Sequence, residues 1–329
     1  MIAVRSLGYI GIAAPNPIAC LDYGTAILGM MPARAVAGES FGLVARGESA
    51  ASAGTGIAAD GTAYLKLDDW QWRIAIHPST TEHGLIYAGF EVGGGAELET
   101  AVAALSDLGV AARKGSREEA RARSVTGIAF TEDPAGNAIE LFYGPVMDGK
   151  FVSAQGAQYV TGSMGLGHLN LFVSDLAASQ DFYMRVLGFR LSDYFAMGGD
   201  ASIQFLHCNA RHHTIGLAGG APIDRLQHLM LEMNTIDQVG QCLDRAESAG
   251  LTITGTLGRH SNDGVLSFYM ESPFGCDVEI GWDGVRIGPD WIAREFVEGD
   301  VWGHKGIAEN VGRMAQLFMA QGKGVKHAG

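Results

Sequence analysis

Alternating apolar and polar positions divide the chain into two successive sets of predicted strands and helices. An alternating stretch at the start of each set predicts a strand, and apolar positions three and four residues apart then predict an amphipathic helix ending at a glycine. Twenty residues separate Tyr9 from Gly29, and twenty separate His168 from Gly188. The predicted helices are Ile18 to Ile27 and Leu176 to Val186. The equal spacing indicates an internal repeat.

The repeat continues through the middle and the end of each set. Residues 85–92 (LIYAGFEV) parallel residues 226–233 (LQHLMLEM), and each stretch precedes a predicted helix, Glu97–Leu108 or Ile236–Ala249. Each set closes with a proline and glycine turn that leads into an alternating strand carrying a glutamate. These residues are Pro134, Gly136 and Glu140 in the first set and Pro273, Gly275 and Glu279 in the second.

The three matching segments predict an α+β fold of four βαβββ modules in two tandem domains. We expect an N-terminal domain over 1–145, a C-terminal domain over 160–284 and a link over 153–165. Residues 285–329 have no counterpart in the first half and form a C-terminal extension. Its last part predicts an amphipathic helix, Ile307 to Met319. The apolar side of this helix is expected to carry Val311, Met314, Leu317 and Phe318. We expect the extension to cover a pocket mouth or to join a subunit interface, with a solvated tail as the alternative.

Composition and charge exclude several classes of protein. The 329 residues are 47% hydrophobic and 18% charged, as in a globular domain. The net charge of -13 argues against a nucleic-acid surface. No apolar run reaches the roughly 18 residues of a membrane span, and we expect no secretory signal, because the N-terminus has no basic region followed by a long apolar core. We expect a cytoplasmic protein, because the four cysteines show no CxxC spacing. They are Cys20, Cys208, Cys242 and Cys276.

The two halves differ at three matched positions. The first half has Tyr9, Tyr87 and Glu140 where the second has His168, His228 and Glu279. Two neutral imidazoles and one carboxylate on one face are the ligand set of non-haem Fe(II), although copper, zinc or manganese could bind the same residues. A single histidine on a strand is more often structural than a ligand. Three ligand-type residues at repeat-equivalent positions reverse that expectation, and we predict a metal-binding second domain and a first domain without metal.

With these residues the chain resembles the type I extradiol dioxygenases of the vicinal oxygen chelate (glyoxalase-like) superfamily, and within them the 2,3-dihydroxybiphenyl 1,2-dioxygenase group. The resemblance covers residues 1–285. Its most specific part is residues 258–282, GRHSNDGVLSFYMESPFGCDVEIGW, and residues 209–218, NARHHTIGLA, add to it. The resemblance implies cleavage of a catechol ring beside its two hydroxyls, with Fe(II) and O2.

The resemblance also implies roles for residues around the metal. His213 is expected to stabilise negative charge developing on O2 and to transfer a proton, while His260 and Tyr269 act on the diol hydroxyls as an acid/base pair. Asn262 and Asp263 are expected to support that loop. Taken singly, Tyr269 could be an aromatic core residue and Asp263 a turn cap.

We also predict that His212 and His213 lie on a strand and face opposite ways, so that only one can face the metal. His212 and His207 are then structural or exposed.

The substrate-binding residues are expected to be Phe205, Ala218 and Asn170. An aromatic wall opposite a small residue favours a bulky 3-substituted or bicyclic diol, such as 2,3-dihydroxybiphenyl. Asn170 is polar where the group is apolar, which leaves a smaller or polar-substituted catechol open. The expected partners are an aromatic diol and O2, in a homo-oligomer. The same fold would also suit a glyoxalase-like isomerase, a Mn(II) relative or a non-enzymatic binding protein.

Overall fold

The computed structural model describes residues 2–34, 55–198 and 201–321. Within these ranges the strands form two sheets, one from each half of the chain. The first sheet contains β1 (Ser6–Ala14), β2 (Met31–Pro32), β3 (Ala63–Lys66), β4 (Ile74–Pro78), β5 (Gly84–Glu91), β6 (Ala112–Lys114), β7 (Val125–Glu132) and β8 (Ala138–Pro145). The second contains β9 (His168–Phe172), β10 (Arg190–Gly198), β11 (Ala201–His207), β12 (Ile215–Ala218), β13 (Arg225–Glu232), β14 (Ile253–His260), β15 (Leu266–Glu271), β16 (Asp277–Trp282), β17 (Arg294–Phe296) and β18 (Asp300–Trp302).

Each sheet is built from two modules that lie side by side. The spatial order is β2-β3-β4-β1-β5-β8-β7-β6 in the first sheet and β17-β10-β11-β12-β9-β13-β16-β15-β14-β18 in the second. The opening strands of the two modules pair antiparallel at the centre, and the last strand of each module joins its own first strand in parallel. The predicted α+β fold of four βαβββ modules is therefore confirmed.

The described α-helices are α1 (Pro17–Tyr23), α2 (Gly95–Asp107), α3 (Arg117–Ala122), α4 (Leu176–Asp181), α5 (Ile236–Ser248) and α6 (Ile307–Gln321). In the repeat, α1 corresponds to α4 and α2 to α5. A π-helical turn, Gly24–Leu28, continues α1, and another, Phe182–Val186, continues α4. The helices predicted from Ile18 and from Leu176 thus each combine an α-helical and a π-helical part.

Polar side chains at the helix starts explain where the helices begin. Asn16, Asp175 and Thr235 each accept a hydrogen bond from the backbone N–H three residues later, at the first turn of α1, α4 and α5. Such a cap satisfies a donor that the helix itself leaves unpaired.

The sheet faces divide the apolar core from the polar positions that matter for function. In β9, Leu169 and Leu171 belong to a buried apolar cluster that spans both halves of the chain. His168 and Asn170 alternate with them and therefore point to the opposite face. That face of the second sheet carries the predicted site.

Strand register makes the two halves directly comparable. In the first half, Gly89 of β5 pairs with Tyr9 on one side and with Glu140 on the other. In the second half, Met230 of β13 pairs in the same way with His168 and Glu279. Tyr87 lies two residues before Gly89, and His228 lies two residues before Met230. The positions matched from the sequence are thus equivalent in the structure.

The C-terminal extension is part of the second sheet and its core. β17 pairs with β10 at one edge, and β18 pairs with β14 at the other, which the sequence did not indicate. In α6, Met314 is buried against Phe172 and Ile223. The alternative of a solvated tail is wrong for this helix, although Leu317 on its predicted apolar side has an exposed fraction of 47%. Residues 322–329 lie outside the described ranges.

The first sheet ends at Pro145 and the second begins at His168, so the predicted link over 153–165 falls between them. Among the described helices, none combines the length and the apolar character needed to span a bilayer.

Candidate metal centre and active site

Three residues predicted to bind the metal come together on adjacent strands. His168 opens β9, His228 lies in β13 and Glu279 lies in β16, which are neighbours in the sheet. The Nε2 atoms of the two histidines are 2.9 Å apart. Oε2 of Glu279 lies 3.4 Å from Nε2 of His168 and 3.3 Å from Nε2 of His228. Two ligands about 2.1 Å from one metal ion and at right angles would be about 3 Å apart, so this spacing suits a shared ion.

A bulge in β13 fixes the orientation of His228. The register with β9 shifts between Leu226 and His228, so Gln227 is inserted beside the histidine. Nδ1 of His228 donates to Oε1 of Gln227, which leaves the lone pair of Nε2 directed at the other two residues. The amide of Asn170 also donates to this Oε1, at 3.0 Å. Nothing in the alternating pattern of the sequence indicated the bulge.

The charges of these groups fit a divalent cation. Burial lowers the pKa of His168 to about 4, so its imidazole is neutral at physiological pH. Burial alone would raise the pKa of Glu279, but the facing imidazoles of His168, His228 and His260 hold it well below its usual range. Among the described residues, no hydrogen bond reaches the buried Oε1 of Glu279. A buried carboxylate with an unsatisfied oxygen and two facing imidazole lone pairs could hold a metal ion.

His260 and Tyr269 lie next to this cluster as an interacting pair. Nε2 of His260 is 2.7 Å from the Tyr269 hydroxyl and 3.6 Å from Oε1 of Glu279. Burial and the charge of Glu279 raise the pKa of Tyr269 well above its ordinary value, so the phenol keeps its proton. Burial alone would lower the pKa of His260, but the nearby carboxylates of Asp300 and Glu279 outweigh burial and raise the pKa well above the usual value.

His213 stacks on the first histidine of the cluster. The ring centroids of His213 and His168 are 3.9 Å apart, and that of Phe205 is 4.7 Å from His213. Burial, followed by the neighbouring His168, lowers the pKa of His213 well below its ordinary value. The predicted strand placement is wrong: His212 and His213 lie in the loop between β11 and β12, and both are buried.

The remaining loop residues form a network behind the cluster. His212 contacts Oδ2 of Asp193 at 2.8 Å, and the Asn262 amide lies 3.4 Å from Oδ1 of the same carboxylate. Asp263 accepts from the backbone N–H of Val265 at 3.0 Å, which makes it a turn cap. Its other oxygen is 3.8 Å from Nδ1 of His213, so it also faces the site.

The residues predicted to bind the substrate lie beside the cluster on the same sheet. Asn170 in β9 pairs with Gly216 in β12, and Gly216 pairs with Phe205 in β11. The Asn170 amide lies over Gly216, where it occupies the space of a side chain. Ala218 follows two residues later in β12 and packs against the cluster around α6.

Two site residues that sequence reasoning missed come from the extension. Asp300, the first residue of β18, is paired with His260 in the sheet. One oxygen of its carboxylate is 2.8 Å from Nδ1 of His260 and 2.6 Å from Nδ1 of His304. The short VWGHK segment after Asp300 was visible in the sequence, but its pairing with β14 depends on a contact across some 40 residues of chain, between His260 and Asp300.

The equivalent place in the first half is filled by an arginine. The Arg123 guanidinium contacts the Glu140 carboxylate, with 2.9 Å between Nη2 and Oε1. The hydroxyl of Tyr9 donates to Glu140 at 2.6 Å, and Arg123 lies 4.0 Å above the Tyr87 ring. This arrangement satisfies the carboxylate without an added ion.

The chain is similar to known proteins of one superfamily. Residues 165–280 match the family described as the Glyoxalase/Bleomycin resistance protein/Dioxygenase superfamily. An iron-dependent extradiol dioxygenase of Rhodococcus jostii (strain RHA1) is 36% identical, over 92% of this chain and 97% of that relative. A biphenyl-2,3-diol 1,2-dioxygenase of Paraburkholderia xenovorans (strain LB400) is 35% identical, over 94% of this chain and 97% of its own.

A solved structure, that of a halotolerant catechol dioxygenase, superimposes with a TM-score of 0.82 at 29% identity, and covers 94% of this chain and 97% of that one. The likeness thus extends along nearly the whole length of both chains. The chain belongs to the extradiol dioxygenases of the glyoxalase superfamily, as its sequence predicted.

Proposed function

We propose that this protein cleaves a catechol-type aromatic diol with O2 at a non-haem Fe(II) held by His168, His228 and Glu279. The observation that carries the proposal is the buried cluster of two imidazoles and one carboxylate, with an acid/base pair in contact with it. The similarity to an iron-dependent extradiol dioxygenase supports iron over manganese or zinc. Fe(II) would supply a Lewis acid for both diol oxygens and an electron donor for O2.

The chain's own residues would handle the protons of the diol. His260 Nε2 lies within hydrogen-bond distance of Tyr269 and near Glu279, and the pKa of His260 is raised, so a diol oxygen that enters this space would meet a protonated imidazole that stabilises its deprotonated form. The Tyr269 phenol, which keeps its proton, would donate a hydrogen bond to the deprotonated oxygen. The pair would thereby hold the diol as an anion in one orientation.

His213 would act on the opposite side of the cluster. Its ring is stacked on His168, and its pKa is lowered, so it is a neutral base in a dry environment. It would place a hydrogen bond near the O2-derived oxygen and transfer a proton as the ring opens. One ring C–C bond beside the diol breaks, and both oxygen atoms of O2 enter the product, a 2-hydroxymuconic-semialdehyde-type acid.

The substrate we favour is a bulky 3-substituted or bicyclic diol, such as 2,3-dihydroxybiphenyl. Phe205 supplies an aromatic wall next to His213, and Ala218 is a small residue farther along the same sheet. Relatives named biphenyl-2,3-diol 1,2-dioxygenase and 1,2-dihydroxynaphthalene dioxygenase, the latter from Sphingobium xenophagum at 34% identity over 95% of this chain, support this choice.

A smaller or polar-substituted catechol is the second candidate, and one observation favours it. Asn170 is buried on the site face, and its Oδ1 has no hydrogen-bond partner among the described residues. A buried acceptor of this kind would prefer a substrate that carries a donor. The four cysteines are unpaired thiols, as is usual in a reducing compartment, and we therefore expect the protein in the cytoplasm. We also expect a homo-oligomer.

A spectrophotometric screen tests the proposal. The anaerobically purified, Fe(II)-loaded protein is mixed with catechol, 3-methylcatechol, 2,3-dihydroxybiphenyl and 1,2-dihydroxynaphthalene, and the mixtures are exposed to air. We expect a coloured ring-fission product, with the highest kcat/KM for a bicyclic diol. Coloured product from none of the four diols would refute the proposed activity, and a preference for catechol itself would favour the second candidate.

A further inference from the structure

The C-terminal extension contributes a carboxylate to the acid/base pair. His260 ends β14, and the pairing of β14 with β18 places Asp300 directly beside it. Nδ1 of His260 lies 2.8 Å from Oδ1 of Asp300, while Nε2, on the far side of the ring, lies 2.7 Å from the Tyr269 hydroxyl. The imidazole is therefore held between a carboxylate from the extension and a phenol from the core of the site.

The Asp300 carboxylate is itself held in place by a second histidine. Nδ1 of His304 is 2.6 Å from the same Oδ1, and Nε2 of His304 is 3.1 Å from the Ser267 hydroxyl. The rings of His304 and His260 pack against each other at a tilt of 35°, with centroids 4.1 Å apart. His304 is 2% exposed, which excludes water from this side of the pair.

The backbone of the extension is strained where it delivers these groups. His304 has φ 46°, a left-handed conformation that a residue with a side chain adopts at a cost, and it follows Gly303 at φ 82°. A Cβ on Gly258 would overlap the His304 ring, and a Cβ on Gly303 would overlap the Gly258 backbone. Two glycines thus allow the extension to pass close enough to β14 for the histidine rings to stack.

We propose that Asp300 is a positioning residue for His260. By accepting the hydrogen bond from Nδ1, its carboxylate fixes the ring and keeps Nε2 as the nitrogen that faces Tyr269 and the diol. An aspartate that orients a catalytic imidazole in this way controls which ring nitrogen handles the proton. The inference rests on the proposed function, because it gives His260 a partner for its role there. It also assigns the extension a part in the reaction.

The test compares Asp300→Asn with the matched control Glu298→Gln, which removes the same charge from an exposed residue two positions earlier. In the Fe(II)-loaded protein we expect Asp300→Asn to lower kcat about 100-fold, the scale of losing one proton-transfer group. Iron content and the anaerobic Kd for 2,3-dihydroxybiphenyl should stay within about twofold of wild type, because neither the cluster nor the diol site is removed. Asp300→Glu, which restores a carboxylate, should recover more than about a tenth of wild-type kcat.

A double mutant separates positioning from a merely structural role. If Asp300 acts through His260, then His260→Gln and His260→Gln/Asp300→Asn should have the same kcat within about threefold. An additional loss of about tenfold in the double mutant, or a loss of iron in Asp300→Asn alone, would overturn the positioning role. Wild-type kcat in Asp300→Asn, with His260→Gln impaired, would overturn it too. A wild-type protein that cleaves no diol would instead refute the proposed function and the role of Asp300 together.

Discussion

The two halves of this chain solve the same electrostatic problem in different ways. Each buries a glutamate at the same register position of its sheet, Glu140 in the first half and Glu279 in the second. In the first half, Arg123 places its guanidinium against the carboxylate. In the second half, no arginine or lysine contacts Glu279 among the described residues, and three histidines face it instead. A buried carboxylate needs a compensating cation, and only the second half leaves that place for an ion.

Packing reinforces this difference. A Cβ on Gly11 would overlap the Tyr87 ring, and one on Gly89 would overlap the Tyr9 ring, so the first half fills its centre with two phenols. In the second half the equivalent residues are Asn170 and Met230, and imidazoles stand in place of the phenols. The same duplicated arrangement is thus a filled, stable support in the first half and a candidate reaction centre in the second.

The largest expected effect comes from removing the carboxylate of the second half. Glu279→Gln should lower the iron content to less than about a tenth of wild type and abolish ring cleavage, because the only carboxylate of the three is lost. The matched change in the first half, Glu140→Gln, should leave iron content and turnover near wild type. Inductively coupled plasma mass spectrometry measures the iron content of both variants. Full iron occupancy in Glu279→Gln would show that the ion is held elsewhere.

The second largest effect is expected for the variant His213→Phe. The phenylalanine keeps an aromatic ring stacked near His168 but removes the nitrogen that transfers a proton, so kcat should fall by about 100-fold or more while iron content is unchanged. His77→Phe, which removes a histidine that contacts Tyr87 in the first half, is the control and should keep wild-type kcat. Steady-state oxygen consumption measures both variants. Wild-type turnover in His213→Phe would refute its assigned role.

Arg123→Met should act on stability rather than on the reaction. Without the guanidinium, Glu140 is left buried and unpaired, and the free energy of unfolding should fall by about 3–5 kcal/mol. Because Glu140→Gln removes that uncompensated charge, the double variant Arg123→Met/Glu140→Gln should recover much of the loss. Urea unfolding followed by circular dichroism measures the change. A single variant as stable as the wild type would contradict the compensation ascribed to Arg123.

The smallest effect is expected at Asn170. Asn170→Val removes a buried acceptor that has no partner among the described residues, so kcat/KM for 2,3-dihydroxybiphenyl should rise a few-fold, by about 1 kcal/mol of transition-state stabilisation. For a diol with a hydroxyl on the second ring, kcat/KM should fall or stay constant. Equal changes for both diols would remove Asn170 from the choice of substrate.

The sequence predicted the parts of the molecule that follow from local pattern and repetition. Tyr9 and His168, or Glu140 and Glu279, could be matched because the modules repeat the same turns at the same spacing, and the register of the two sheets confirms the match. Helix bounds were close because caps such as Thr235 and the apolar period are local signals.

What the sequence could not predict depends on contacts between distant segments. Arg123 is 17 residues from Glu140, so its role as an internal cation appears only in the folded sheet. The bulge at Gln227 leaves no mark on the alternating pattern. The placement of His212 and His213 on a strand was wrong because their loop is short and runs directly into the apolar residues of β12, so the local pattern does not show where that strand begins.

The most direct test of the comparison is a crystal of the anaerobically prepared protein, measured on either side of the iron absorption edge. We predict one anomalous difference peak per chain, among Nε2 of His168, Nε2 of His228 and the Glu279 carboxylate, and none beside Glu140 and Arg123. A peak in the first half, or no peak in the second at full iron loading, would contradict the difference between the two halves.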